Sequence, residues 1–222
     1  MAQVLIMGAS RGLGLGLVQH YVAGGHRVIA TVRQSADKER LQAEGAQVLV
    51  VDMAQPASVS GLAWQLDGEK LDLAIYVAGV WDEGRATAPP TQETFDRVMH
   101  TNVLGAMQVI PQVAPAVSEA SGKLAFISSF MSLPSAASSG RAWLYRASKA
   151  ALNMVVASAQ HDWPQAHLVC LDPGWVQTDM GGQDAPLTVA QSVQGMAQTL
   201  ASVKAADRGR LLRYDGTRVA QG

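Results

Sequence analysis

The chain has 222 residues, a length that points to one domain spanning 1–222. With 48% hydrophobic and 16% charged residues it has ample apolar material for a core, which excludes a disordered chain. Seventeen basic residues against eighteen acidic ones leave a net charge of −1, which excludes the strong positive footprint of a nucleic-acid or anionic-membrane binder. No apolar run approaches the roughly 18–20 residues that span a bilayer. Met1-Ala2-Gln3 leads into Val4-Leu5-Ile6-Met7 without the basic region of a signal peptide. The one cysteine, Cys170, rules out an internal disulfide and suits a reducing compartment, so a cytoplasmic location is expected.

Short apolar runs alternate with longer amphipathic stretches from end to end. Strands are expected at Val4–Met7, Arg27–Val32, Gln47–Val51, Leu71–Val77, Lys123–Ile127, His167–Leu171 and Arg210–Tyr214. Several are nearly continuous Val, Ile and Leu, the composition of strands buried on both faces of a parallel sheet. Helices are expected over Leu13–Ala23, Asp37–Glu44, Ala57–Leu66, Thr91–Val109, Tyr145–Gln160 and Val189–Val203, with Ser35, Thr91 and Thr188 as N-caps. Seven strands separated by helices predict a Rossmann-type, doubly wound α/β sheet with helices on both faces. Ser132–Gly140, rich in small residues, reads as a surface loop.

The first strand ends in Gly8-Ala9-Ser10-Arg11-Gly12-Leu13-Gly14, and a helical pattern follows at once. Glycines there permit a tight turn and close approach of the backbone to a pyrophosphate, while the helix start offers free N–H groups and a positive dipole end. The spacing is Gly-x-x-x-Gly-x-Gly, and Tyr145-Arg146-Ala147-Ser148-Lys149 stands far downstream. Between and beyond lie Asp52, Ala78-Gly79, Asn102-Val103-Leu104-Gly105, Ile127-Ser128-Ser129 and Pro173-Gly174, each near an expected strand end or early in a helix. In this order the motifs resemble the short-chain dehydrogenase/reductase family across essentially the whole chain. Tyr145–Asn153, Pro173–Gly182 and Tyr214-Asp215-Gly216-Thr217 resemble its C-factor-like and sniffer-type carbonyl reductase branch.

The resemblance implies a nicotinamide cofactor held by Gly8, Ser10, Arg11, Gly12, Leu13, Gly14, Asp52, Met53, Ala78, Gly79, Tyr145, Lys149, Pro173, Gly174, Val176 and Thr178. The second strand closes on Ala30-Thr31-Val32-Arg33, without the carboxylate that would hold both ribose hydroxyls of NAD and repel the extra phosphate of NADP. Arg33 and Arg11 instead offer planar guanidinium forks suited to a phosphate, so NADPH is expected to be preferred over NADH.

Tyr145 and Lys149 are four residues apart and share one helix face. A nearby ammonium favours the phenolate, so Lys149 is expected to bring Tyr145 down towards useful acid/base range. Ser129 follows the fifth strand, where its hydroxyl could polarise a substrate carbonyl. Ser128 is the alternative; strand alternation sends the two side chains to different sides, and the resemblance favours Ser129. The resemblance also gives Asn102 a part in holding a water that links Lys149 to solvent. It departs from the family at Tyr76 and Val77, where the usual motif carries asparagines, which puts a bracing role in doubt more than the chemistry. Trp81, Phe130, Trp143 and Trp175 fall near ligand-edge loops and are candidates for the substrate pocket.

The five histidines and Cys170 lack metal-ligand spacing, so no metal site is expected. The expected activity is NADPH-dependent reduction of an aldehyde or ketone to an alcohol through Ser129, Tyr145 and Lys149. A regulatory or signalling protein of C-factor type, with incidental turnover, is the rival. A homodimer is also expected, joined through the helices starting near Thr91 and Tyr145. The resemblance implies this pairing, and Ala147–Ala157 is apolar around most of its circumference apart from Lys149 and Asn153.

Overall fold

A computed structural model describes residues 1–220, so the last two residues of the expected 1–222 domain lie outside the described residues. Seven parallel strands form one sheet: β1 (Gln3–Met7), β2 (Arg27–Val32), β3 (Gln47–Val50), β4 (Leu73–Tyr76), β5 (Lys123–Ile127), β6 (His167–Asp172) and β7 (Leu211–Arg213). Their order is β3-β2-β1-β4-β5-β6-β7, so the direction of winding reverses between β1 and β4. At such a switch point the loops leaving the strand ends part and open a crevice for a ligand.

Among the described residues the α-helices are α1 (Gly12–Ala23), α2 (Lys38–Ala43), α3 (Pro56–Val59), α4 (Leu62–Gln65), α5 (Gln92–Met99), α6 (Gly105–Glu119), α7 (Trp143–Ala159) and α8 (Val189–Ser202). Strand alternation divides the core between the two faces of the sheet. Val4 and Ile6 of β1 pack with Leu17 and Val18 of α1, Leu41 of α2 and Met196 of α8. Leu5 and Met7 face the other way, with Leu62 of α4, Val109 and Val113 of α6, and Leu152 and Val156 of α7. Every one of these thirteen side chains is at most 1% exposed, so burial locks the strand register and with it the loops at the carboxyl edge.

Local sequence accounts for most element ends and for the departures from expectation. Thr91 accepts a hydrogen bond from the Thr94 amide, and Thr188 forms a full capping box with Gln191. Ser35 is not a helix cap; it opens a 3₁₀ turn over Ser35–Asp37 that runs into α2. The single helix expected over Ala57–Leu66 is two short ones, interrupted at Ser60-Gly61. The helix expected to stop at Val109 continues to Glu119. Pro111 and Pro115 sit four apart on its exposed side, where the carbonyls they leave without an N–H partner can meet water. The turn joining α5 to α6 is a π-type segment, His100–Leu104. The Tyr76 hydroxyl donates to the Thr101 carbonyl there, at 2.7 Å. Tyr76 thus braces the sheet to this segment, a task suited to its buried ring and polar tip.

Candidate functional site

A cleft of about 960 Å³ opens along the carboxyl edge of the sheet. The loop between β1 and α1 lines one end. Gly8 has φ 91° and Gly12 φ 53°, backbone conformations open to glycine and rare for other residues. A Cβ on Gly8 would lie 2.8 Å from the Ala78 amide nitrogen, and one on Gly14 would lie 2.2 Å from the Gly8 carbonyl oxygen. Gly8 therefore keeps the cleft floor open, while Gly14 lets α1 start directly against β1. These are the conditions under which the helix start can face an anionic group. Ser10, Arg11, Gly12 and Leu13 line the cleft, whereas Gly14 lies beneath it as a packing residue. Asp52, Met53, Ala78, Gly79, Pro173, Gly174, Val176 and Thr178 line it too.

Arg33 lines the cleft beside Gln34 and Asp37. Arg11 extends instead to Asp179, with an N–O distance of 2.8 Å and both side chains at least 75% exposed. An exposed pair of this kind contributes little, so Arg11 can exchange partners at small cost. A third cation escaped sequence reasoning. Arg40 reaches back from α2 to the Ser10 carbonyl and pairs with Asp37 at 3.0 Å. Only its helical register, three residues after Asp37, hinted at this.

The other end of the cleft carries the polar side chains. Tyr145 and Lys149 lie on α7, both buried, with the Lys149 ammonium 5.6 Å from the Tyr145 ring centroid. Lys149 Nζ donates to the Ile127 carbonyl at 2.8 Å, which anchors the side chain beneath the end of β5. Burial pushes Lys149 down to about 8, against a small opposing influence from Cys170. Cys170 itself is fully buried in β6, and burial pushes its thiol up to about 12.

Tyr145 departs from expectation. Burial drives it well above the usual phenol range, Asp172 adds to this, and a hydrogen bond with Ser129 opposes it. Loss of water around the phenol is the largest influence, so the side chain holds its proton rather than standing as a phenolate. The two serines part as alternation requires. The Ser128 hydroxyl donates to Asn153 Oδ1 at 2.7 Å, whereas Ser129 faces Tyr145 and accepts from the Met131 amide at 3.1 Å.

Asn102 does not line the cleft. Its Oδ1 accepts from the Val80 amide at 2.8 Å, and its Nδ2 donates to the Val80 carbonyl and to Ser148 Oγ, each at 3.0 Å. With both ends of the amide engaged, the side chain ties the loop after β4 to α7. Trp81 packs on Tyr145 with ring centroids 4.6 Å apart, and Phe130 and Trp175 line the same end of the cleft. Trp143 does not: it begins α7 and is 38% exposed outside the cleft. Arg141 and Arg146 line the cleft near Tyr145 and were not foreseen. Arg146 donates to the Arg141 and Ala136 carbonyls and thereby shapes the loop preceding α7.

Fold and cleft together define a doubly wound α/β protein whose glycine-lined cleft ends at a buried tyrosine–lysine pair. A family profile described as short chain dehydrogenase matches residues 2–186. The chain is 38% identical over 152 residues to C-signal of Myxococcus xanthus, covering 67% of this chain and 92% of that one. Its structure superposes on NADPH-bound carbonyl reductase from chicken fatty liver with a TM-score of 0.91 at 29% identity, covering 99% of each chain. For the carbonyl reductase Sniffer of D. melanogaster the TM-score is 0.90, also at 29% identity and 99% coverage of each. The chain belongs to the short-chain dehydrogenase/reductase family of oxidoreductases, in the branch of carbonyl reductases and C-factor-like proteins.

Proposed function

We propose that this protein is an NADPH-dependent carbonyl reductase that converts an aldehyde or ketone to the alcohol. The observation that carries the reading is the Tyr145 side chain buried at the cleft end beside Ser129, with the Lys149 ammonium 5.6 Å from its ring. A bound nicotinamide would supply the hydride. Gly8, Gly12 and the start of α1 would hold its pyrophosphate, Arg33 with Arg11 its ribose phosphate, and Pro173, Gly174, Val176 and Thr178 its nicotinamide end. Asp52, Met53, Ala78 and Gly79 would pack against it along the cleft floor.

Ser129 would donate to the substrate oxygen as negative charge develops there. Tyr145 would deliver its proton to that oxygen. A proton-bearing phenol is the form a reductase needs at the start of each turnover. Lys149 would orient the nicotinamide ribose and supply positive charge as the phenolate forms. Trp81, Phe130 and Trp175 would exclude water around the carbonyl, and Asn102 would brace the loop and helix between which Lys149 lies. Positioning and electrostatics are the protein's contribution; the redox chemistry is the cofactor's.

No helix among the described residues is long and apolar enough to cross a membrane, and we read the protein as a cytoplasmic homodimer. Ala147, Ala150 and Met154 form an exposed stripe on α7, and Phe95 and Met107 are exposed on α5 and α6, which supports pairing through these helices. Light scattering on the eluting peak tests this: a single 23.4 kDa species would end the dimer reading.

The likeness to C-signal supports a second reading, a signalling protein with incidental turnover. NADPH consumption against a panel of aldehydes, ketones and diones, measured beside NADPH binding, separates the two. A reductase consumes NADPH with at least one carbonyl class. Binding without consumption favours the signalling reading.

A further inference from the structure

The cleft carries its charges unevenly. Among the described residues, the acids that line it are Asp37, Asp52 and Asp179, and each is engaged: by Arg40, by the Ala54 amide and by Arg11 of the glycine loop. Arg141 and Arg146 line the cleft together with Tyr145 and Trp81. The one acid paired with them, Glu83, is not among the lining residues and meets Arg141 at 3.4 Å with both side chains at least 56% exposed. Such a pair contributes little, so a better-placed anion can displace Glu83.

Both arginines are held in place by backbone contacts. The Ala86 amide donates to the Gly140 carbonyl at 3.2 Å and the Ala142 amide to the Gly84 carbonyl at 2.8 Å, so Arg141 sits in a short strap paired with the loop after β4. Arg146 donates through Nε to the Arg141 carbonyl and through Nη1 to the Ala136 carbonyl, each at 3.2 Å. Its Nη2 makes no hydrogen bond among the described residues, which leaves one edge of the guanidinium able to donate. The placement is also unfavourable by itself. Arg146 lies in the first turn of α7, where the helix start is already positive, no acid stands in that turn, and Ala142 supplies no side-chain cap. A cation there works against the helix dipole unless an anion joins it.

We propose that the substrate is a carbonyl compound that carries a carboxylate, bound by Arg141 and Arg146 while Tyr145 serves its carbonyl oxygen. The inference rests on the reductase reading and narrows its substrate class. A carboxylate suits the pair because a guanidinium edge presents parallel N–H donors to its two oxygens. The anionic groups of the cofactor are assigned to Arg11, Arg33 and the start of α1, which leaves these two arginines for the substrate.

The test follows NADPH consumption with aldehydes and ketones that carry a carboxylate at increasing distance from the carbonyl, each beside its methyl ester. At the best spacing the wild type should favour the acid in kcat/KM by at least ~10-fold, the low end for a charge-assisted hydrogen bond, and added salt should shrink that ratio. Arg141→Gln, which removes the charge, should lower the ratio by about 5-fold, the scale of a well-formed exposed ion pair. Arg146→Lys keeps the charge and loses the planar fork, and should lower it as well. A wild-type ratio near one overturns the proposal, and a ratio that survives either substitution overturns the assignment to that arginine. Should Arg146→Lys fail to fold, Arg141→Gln decides alone, its side chain being more than half exposed. The levels of the account separate cleanly. NADPH binding without consumption of any acid or ester overturns the reductase reading and this inference together. Equal consumption of acids and esters overturns the inference alone.

Discussion

The two ends of the cleft are built by different means. At the end assigned above to the nucleotide the shape comes from the backbone: Gly8, Gly12 and Gly14 leave out side chains where strand, turn and helix crowd together. The charges there, Arg11, Asp37 and Arg40, are exposed or half-exposed and paired with one another or with Asp179. At the catalytic end the shape comes from side chains, and Tyr145, Lys149 and Asp172 are charged or chargeable groups withdrawn from water. The contrast teaches where each end is vulnerable. Added atoms should damage the nucleotide end, and altered charge the catalytic end.

Gly14→Val should be the most severe change, because its Cβ would meet the Gly8 carbonyl oxygen at 2.2 Å and the Ala9 Cα at 2.9 Å, both backbone atoms that cannot swing aside. Overpacking costs about 1–3 kcal/mol and sometimes more. For a chain of this size the melting temperature should fall by about 2–12 °C, with loss of NADPH binding, read by thermal denaturation and fluorescence titration. A variant that melts and binds like the wild type would break the backbone half of the comparison. Arg33→Ala sharpens it. One lost charge-assisted hydrogen bond is worth about 1.5–3 kcal/mol, so NADPH affinity should fall by about 10- to 150-fold while NADH affinity stays nearly constant. Equal wild-type affinities for the two cofactors would contradict this.

The pH dependence probes the other end. Burial lowers Lys149 to about 8, so above that pH the cofactor-free protein loses the ammonium. The limb of kcat/KM reports the free enzyme, so it should fall up to about tenfold per pH unit beyond pH ~8. A flat profile to pH 10 would show that Lys149 keeps its charge. The smallest effect separates two tryptophans. Trp81 packs against Tyr145 at 4.6 Å, and such a pair is worth about 0.5–1.5 kcal/mol, so Trp81→Ala should lower turnover by about 2- to 10-fold. Trp143→Ala, outside the cleft, should change it by less than that. The reverse order would redraw the pocket.

The nucleotide end was the more legible in the sequence, and the reason is geometric. A glycine loop between a strand and a helix is a local object, and its spacing alone places it. Tyr145 and Lys149 were legible on similar grounds, being four apart on one helix, and alternation separated Ser129 from Ser128. What escaped depends on long-range contact or burial. Asp172 looks like any strand-end acid until Arg213, 41 residues later, is seen facing it in the neighbouring strand. The expectation that Lys149 would depress Tyr145 counted the charge but not the water removed from the phenol. Trp143 and Trp81 looked alike because both stand near loop ends, and only packing shows that one turns outward. Asn102 gave no sign that its amide would tie the Val80 loop to Ser148 of α7. Pro111 and Pro115 hid the rest of α6, because a proline reads as a helix stop until its missing N–H is seen to face solvent.

The measurement that tests the central claim most directly is the steady-state rate of NADPH oxidation, with the best carbonyl of the panel, in the wild type and in Tyr145→Phe. The substitution removes one hydroxyl and keeps the ring that packs on Trp81, so NADPH binding and melting temperature should hold while turnover falls by at least ~100-fold, the low end for general acid catalysis. A folded, NADPH-binding Tyr145→Phe that retains most of its turnover would contradict the account.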